Sequence, residues 1–119
     1  MRVYKISLPY PPSVNSLWRY SSRGVYRTPK YRDWLHTAGQ GIFDAPAFQE
    51  PLKMTMRARA IDKRRRDIDN IIKPVCDLFE HQNVVVNDFW IQHLDVSWDQ
   101  NINEGTVKVL LMTLEESLK

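Results

Sequence analysis

Residues 52–60 alternate between apolar and polar side chains without a break. Lys53, Thr55, Arg57 and Arg59 stand between five apolar residues. A period of two predicts a β-strand with one buried face and one face turned away from the core. Such a strand must pack its apolar face against other elements, so the rest of the chain has to supply neighbouring strands and a covering layer.

The remaining apolar patterns predict a small α+β domain that spans residues 1–119, in the order β-α-β-α-β-β, with a mixed or antiparallel sheet. We expect further strands at residues 2–8, 91–98 and 106–114. One helix should begin with Thr28 as its N-cap and Pro29 at its first position, and another should follow Asp69. Pro74 fits the second helix only in its first turn, or else it kinks the helix. Residues 16–28 read as an irregular basic loop or a short hairpin.

Composition excludes several classes of protein. The chain has 119 residues, of which 43% are hydrophobic and 26% are charged, and this is ordinary globular usage. It has no apolar run near 18 residues and no signal-like stretch at its start, so we expect a cytoplasmic protein with no membrane contact. A single cysteine, Cys76, excludes an intrachain disulfide and a cysteine-based zinc cluster.

Charge is distributed unevenly along the chain. Fifteen of the 17 Lys and Arg residues and six of the 14 Asp and Glu residues precede position 74, so the two parts carry +9 and −6. The basic part suggests a polyanionic partner such as nucleic acid. Chance, together with the demands of solubility, remains the alternative.

The most informative segment is residues 57–73, where six basic residues precede the pattern D-x-D-N-x-x-K. Arginine presents a planar fork that matches phosphate oxygens. The simpler interpretation of such a basic run is a surface edge that is exposed to water. This run, however, lies inside a domain and adjoins acidic residues. We therefore predict phosphate contacts for it. The predicted DNA contacts in this segment are Arg57, Arg59, Lys63, Arg64, Arg65 and Arg66.

Asp67 and Asp69 lie two residues apart, so in an extended chain their side chains would leave the same face. Two converging carboxylates repel each other, and a hard cation such as Mg²⁺ or Mn²⁺ relieves that repulsion. The alternative is that Asp69 or Asn70 caps the following helix. Lys73, four residues after Asp69, would either form a surface ion pair with it or stabilise a phosphate under attack.

Two weaker signals lie outside this segment. Asp88 follows Asn87 between apolar residues, and either closes a turn or is a third metal ligand held by buried flanks. Arg19 lies between Trp18 and Tyr20, an aromatic and basic combination that either stacks on unpaired bases or covers the core.

These motifs together resemble those of the RusA-type Holliday junction resolvases, which are small Mg²⁺-dependent endonucleases. The opening Leu8-Pro9-Tyr10-Pro11-Pro12-Ser13 with Asn15, the central Lys63-Arg64-Arg65-Arg66-Asp67-Ile68-Asp69-Asn70 with Lys73, and Val86-Asn87-Asp88 carry the resemblance. It implies a homodimer that acts on four-way DNA junctions. It also implies that Asp67, Asp69 and Asp88 bind the catalytic metal, which is Mg²⁺ with Mn²⁺ as a substitute, and that Lys73 assists. Some members carry two adjacent acids where this chain has Asn87-Asp88.

Two hypotheses follow from the sequence. The first is a metal-dependent, structure-selective endodeoxyribonuclease that is bacterial or phage-encoded. In this hypothesis Asn15, Arg19 and the basic run contact the DNA. The second is a non-catalytic nucleic-acid-binding module whose aspartates only cap and pair. A binding module needs the arginines but not the three acids with Lys73, so the sequence favours the enzyme.

Overall fold

The computed structural model describes residues 2–13, 16–42 and 45–114. Its strands and helices, in chain order, are β1 (Val3–Pro9), β2 (Trp18–Ser21), β3 (Gly24–Arg27), α1 (Pro29–Gln40), β4 (Leu52–Arg59), α2 (Ile72–His81), β5 (Ile91–Trp98) and β6 (Thr106–Thr113). Short 3₁₀ helices at Ile68–Ile71 and Asp88–Trp90 precede α2 and β5. The predicted α+β class is confirmed, and residues 16–28 prove to contain a hairpin, β2–β3.

The main sheet is mixed. Its strand order is β1-β6-β4-β5, in which β6 is antiparallel to both β1 and β4, and β5 is parallel to β4. A parallel pair cannot be joined by a tight turn, so the chain crosses over between β4 and β5, and α2 forms that crossover. The chain between β4 and α2 passes over β5, and the 3₁₀ helix Ile68–Ile71 packs against that strand.

The core lies between the sheet and the two helices. The apolar residues of β4 from Leu52 to Ala58 are fully buried, which confirms the alternation predicted for that strand. One face of α1 is also buried, and Tyr31 on that face is fully buried. Burial raises the pKa of the Cys76 thiol to about 12, so this cysteine is a packed neutral side chain. Among the described residues, no helix is long and apolar enough to cross a membrane.

Helix α1 begins as predicted. The Thr28 Oγ1 accepts a hydrogen bond from the Tyr31 backbone N–H at 3.2 Å, and Pro29 occupies the first helical position. The same hydroxyl donates to the Ser16 carbonyl at 2.5 Å. Caps of this kind contribute about 1 kcal/mol. Here the cap also ties the end of the β2–β3 hairpin to the helix.

Helix α2 begins after a 3₁₀ turn, and Pro74 is its third residue. No N–H at this position would bond within the helix, so the proline is accommodated in the first turn, as predicted. One related prediction is wrong. Asp67 is extended, but Asp69 lies inside the 3₁₀ helix, so the two do not share one face of an extended chain. The reason is that β4 ends at Arg59 and the chain then bends.

Candidate functional site

The basic segment after β4 is shaped by one acidic residue, Asp62. Its carboxylate accepts hydrogen bonds from the Arg64 backbone N–H at 2.9 Å and from the Arg66 guanidinium at 2.7 Å. These bonds hold the pKa of the Asp62 carboxyl well below its usual range. An Asp that bonds the backbone two residues ahead turns the chain locally, which explains why the strand does not continue into the motif.

A cavity of about 660 Å³ lies beside this segment and reaches Asp67. The Arg66 guanidinium lies 5.7 Å from the centre of the Tyr10 ring, and the Trp34 indole N–H donates to the Pro9 carbonyl at 3.0 Å. The aromatic wall thus comes from the proline-rich segment after β1 and from α1. The charged and amide side chains that line the cavity are Lys30, Arg64, Arg65, Arg66, Asp67 and Asn70.

Asp67 and Asp69 are exposed at the start of the turn that leads into α2. Neither carboxylate caps a helix: Asp67 occupies the N-cap position of the 3₁₀ helix but its side chain accepts no cap hydrogen bond, and the N-cap residue of α2 is Ile71. The capping explanation of these acids therefore fails. In the described part of the chain, neither carboxylate forms a hydrogen bond or an ion pair.

Lys73 is held by a residue that the sequence did not single out. Its Nζ lies 3.0 Å from Oδ1 of Asp77, and the other carboxylate oxygen of Asp77 accepts the Tyr31 hydroxyl at 2.6 Å. The Asp77 side chain is only 12% exposed, whereas that of Lys73 is 60% exposed, so the carboxylate of this pair is better shielded than in an ordinary surface ion pair. The hydrogen bond that Lys73 donates to Asp77 raises the pKa of the lysine, which keeps it charged. The predicted alternative, an ion pair between Lys73 and Asp69, is wrong.

Asp88 approaches α2 from the other side of the crossover. The neighbouring Asn87 side chain caps the 3₁₀ helix by accepting the Phe89 backbone N–H at 3.1 Å, which leaves the Asp88 carboxylate outside the capping role. Its negative charge contributes to the raised pKa values of both Lys73 and Cys76, so it lies close to the first turns of α2. The prediction that the apolar residues on both sides of Asp88 are buried is wrong in part, because Val86 and Phe89 are exposed.

Lys73 and Asp88 thus lie close enough for the charge of Asp88 to act on the lysine, and Asp67 and Asp69 lie on the turn that leads into the same helix. The three aspartates do not form a ready coordination sphere. In residues 2–13, 16–42 and 45–114, no three His, Cys, Asp or Glu side chains are grouped so as to hold a metal ion. Their donor chemistry still suits a hard divalent cation, since all three offer carboxylate oxygens that have no partner within the described part of the protein.

The predicted DNA contacts are placed unevenly. Arg57 and Arg59 lie on β4 away from the core, where they pair with Asp95 at 3.2 Å and Glu104 at 3.3 Å, so both are engaged within the sheet. Lys63 is exposed beside the cavity-lining arginines. Arg19 belongs to the hairpin. Asn15 lies outside the described residues.

The fold and the site together define a small α+β domain in which a basic cavity reaches Asp67, and the helix that follows carries a lysine paired with a largely buried aspartate. A sequence model described as "Endodeoxyribonuclease RusA" matches residues 9–112. The chain therefore belongs to the RusA endodeoxyribonuclease family, and the predictions of this family and of a nuclease are confirmed.

Curated relatives carry names that agree with this assignment. The chain is 28% identical over 118 residues to the crossover junction endodeoxyribonuclease of Enterobacteria phage HK97, with 97% of this chain and 98% of the relative covered. It is 28% identical over 99 residues to the protein of the same name from Enterobacteria phage 82, and 27% identical over 99 residues to that of Escherichia coli K12. Each of these two comparisons covers 81% of this chain and 78% of the relative.

Proposed function

We propose that the protein is a Mg²⁺-dependent endodeoxyribonuclease that resolves four-way DNA junctions by hydrolysing one phosphodiester on each of two strands. One observation carries the proposal: among the described residues, three exposed aspartates lack protein partners near the start of α2, where Lys73 is paired with Asp77, and one of them, Asp67, lines a basic cavity. The names of the relatives support the same substrate. Work on such DNA would place the protein in the bacterial cytoplasm.

The metal would be held by Asp67, Asp69 and Asp88, with Mn²⁺ able to replace Mg²⁺. Three carboxylates brought together carry three like charges, which a divalent cation offsets. Because the three are not grouped for coordination, binding requires their side chains to move toward one another. When bound, the metal supplies a Lewis acid that polarises the phosphate and makes a bound water more acidic.

The chain's own residues supply the rest of the chemistry. Lys73 stays protonated, since Asp77 raises its pKa, so it serves as a fixed positive charge and hydrogen-bond donor toward the phosphate rather than as a base. Asp77, anchored by the Tyr31 hydroxyl, sets the direction of the lysine. Lys30 and the cavity-lining arginines contact the neighbouring phosphates and hold the strand in place.

The test compares one synthetic four-way junction with linear duplexes made from its arms, each with Mg²⁺, with Ca²⁺ and with a chelator. The proposal requires paired nicks on the junction with Mg²⁺, much less cutting of duplex, and binding without cleavage in Ca²⁺, whose looser coordination positions water poorly. Binding to the junction without cleavage in any metal would overturn it in favour of a non-catalytic binding module. That alternative needs the aspartates to cap or pair, and among the described residues they do neither.

We expect the active species to be a homodimer. One chain carries one set of the three aspartates, whereas clean resolution of a junction requires two symmetric cuts, and a two-fold dimer matches that symmetry. Sedimentation of the protein with and without junction should give a dimer mass. A monomer at micromolar concentration in both samples would contradict this expectation.

The basic run is expected to set affinity rather than chemistry. Each phosphate neutralised on duplex DNA contributes about 0.9 to the slope of log affinity against log salt. Replacing Arg64, Arg65 and Arg66 with alanine should flatten that slope by about 2–3 units if each meets one phosphate. The matched control is Arg57→Ala, because that arginine is paired with Asp95 on the sheet and should change the slope little. An unchanged slope in the triple variant would place the run away from DNA.

A further inference from the structure

The β2–β3 hairpin, residues 18–27, is a separate two-stranded sheet that the proposed chemistry does not use. We call it the arm. It contains three arginines and no acidic residue. A two-stranded ribbon on its own is marginally stable, so its anchorage decides whether it holds a fixed shape.

The base of the arm is fixed to α1. The Trp18 ring meets the Tyr31 ring edge-on at 5.9 Å, and the Arg27 guanidinium lies 5.7 Å from the Trp18 ring centre. The Thr28 backbone N–H donates to the Leu17 carbonyl at 3.0 Å. Trp18 is therefore a packing residue. Of the two roles predicted for Trp18 and Tyr20, stacking on bases or covering the core, Trp18 has the second.

The outer half of the arm is different, because its apolar side chains meet solvent. Tyr20 is 80% exposed and Val25 is 57% exposed. The two are paired across the strands and so lie on one face, whereas Arg19 and Tyr26 are paired on the other. A tyrosine this exposed gains nothing from the fold, so its large apolar surface is available to a partner.

The arm is continuous with the nuclease site. Ser16 and Lys30 line both the cavity beside Asp67 and a second cavity of about 560 Å³ at the base of the arm. Trp18 and Arg19 belong to the second cavity. A DNA strand that leaves the cut site over Lys30 therefore reaches the arm, and the positive charge of the arm complements its phosphates.

We propose that Tyr20 stacks on a base exposed at the branch point of the DNA, so that the arm contributes selectivity for branched over linear DNA; this rests on the proposed function. In a continuous duplex each base is covered on both faces by its stacked neighbours. A branch interrupts that stacking and exposes base faces, on which an aromatic side chain packs whatever the base. Linear DNA offers the arginines of the arm the same phosphates but offers Tyr20 no open base face.

The experiment compares wild type, Tyr20→Ala and Tyr20→Phe for binding to a four-way junction and to a linear duplex in Ca²⁺. A 2-aminopurine at the branch point reports stacking by fluorescence. Tyr20→Ala should bind the junction about 10-fold more weakly and lose the fluorescence change, and its duplex affinity should stay within about 2-fold. Tyr20→Phe keeps the ring and should behave like the wild type. Tyr26→Ala, on the opposite face, serves as the matched arm control and should leave the fluorescence change intact.

Several outcomes would overturn the role of the arm. Equal loss on both DNAs would assign Tyr20 to general affinity, and no loss would exclude it from the interface. A shift of Tyr20→Ala to a smaller species in sedimentation would instead assign the arm to contact with a second copy of the chain. Junction cleavage by the wild type is measured alongside these assays, so that a failure of the proposed role of Tyr20 can be distinguished from a failure of the proposed function. If the wild type cleaves junctions and Tyr20→Ala matches it throughout, only the arm fails, whereas a wild type that ignores junctions overturns both.

Discussion

Asparagine at Asp67, Asp69 or Asp88 should slow junction cleavage by about 100-fold to 1000-fold, the usual cost of one key electrostatic group. Each change keeps the size and polarity of the side chain but removes one negative charge from the proposed metal site. The metal is then held more weakly, and charge that develops on the phosphate is not compensated. Junction affinity should stay the same or rise, because a negative charge near the DNA backbone is gone. Single-turnover cleavage in Mg²⁺, with binding measured separately in Ca²⁺, separates the two effects.

Asp33→Asn is the matched control for this series. Asp33 is an exposed aspartate on α1 that belongs to no proposed ligand set, so its loss should leave the cleavage rate within about 2-fold. Full cleavage by the Asp67→Asn and Asp69→Asn proteins, purified free of other nucleases, would remove both aspartates from the site.

Lys73→Ala should slow cleavage by about 100-fold, and Asp77→Asn should slow it by about 10-fold with little change in junction affinity. The second effect is smaller because Asp77 acts only through the lysine, whose Nζ it holds at 3.0 Å. Tyr31→Phe removes the hydrogen bond that anchors Asp77 and should reproduce part of the loss. All three are measured as single-turnover rates at saturating protein.

A double-mutant cycle decides whether Asp77 works through Lys73. If it does, Asp77→Asn should cost almost nothing further in the Lys73→Ala background. Glu80→Gln removes an acidic charge from the same helix without breaking a hydrogen bond to Lys73, and should leave the rate nearly unchanged. Equal losses from Asp77→Asn in both backgrounds would mean that Asp77 supports the fold rather than the lysine.

The fold was largely predictable because its elements are marked by local periodicity. The alternation at β4 and the Thr28-Pro29 start of α1 are both read from adjacent residues, and the structure reproduces both. The sequence did not decide whether the sheet was mixed or antiparallel. Strand pairing depends on contacts between distant residues, such as Met54 with Leu94 on one side and Leu111 on the other.

The site was less predictable because its geometry depends on contacts across the fold. Lys73 has an aspartate four residues before it and another four residues after it, so helical spacing alone does not choose between Asp69 and Asp77. The Tyr31 hydroxyl, from a different helix, favours Asp77. Likewise, the bend that separates Asp67 from β4 depends on hydrogen bonds to Asp62, which the alternation of the strand does not reveal.

The central claim is that three aspartates from two separate turns hold one catalytic metal, and direct measurement of Mn²⁺ binding tests it best. Electron paramagnetic resonance of Mn²⁺ titrated into the protein, free and bound to a junction with a non-cleavable linkage, counts the bound ions without relying on activity. If the claim holds, the wild type and Asp33→Asn bind Mn²⁺, and binding is markedly weaker in Asp67→Asn, Asp69→Asn and Asp88→Asn. Undiminished Mn²⁺ binding by those three variants, or no Mn²⁺ binding by the wild type on the junction, would contradict it.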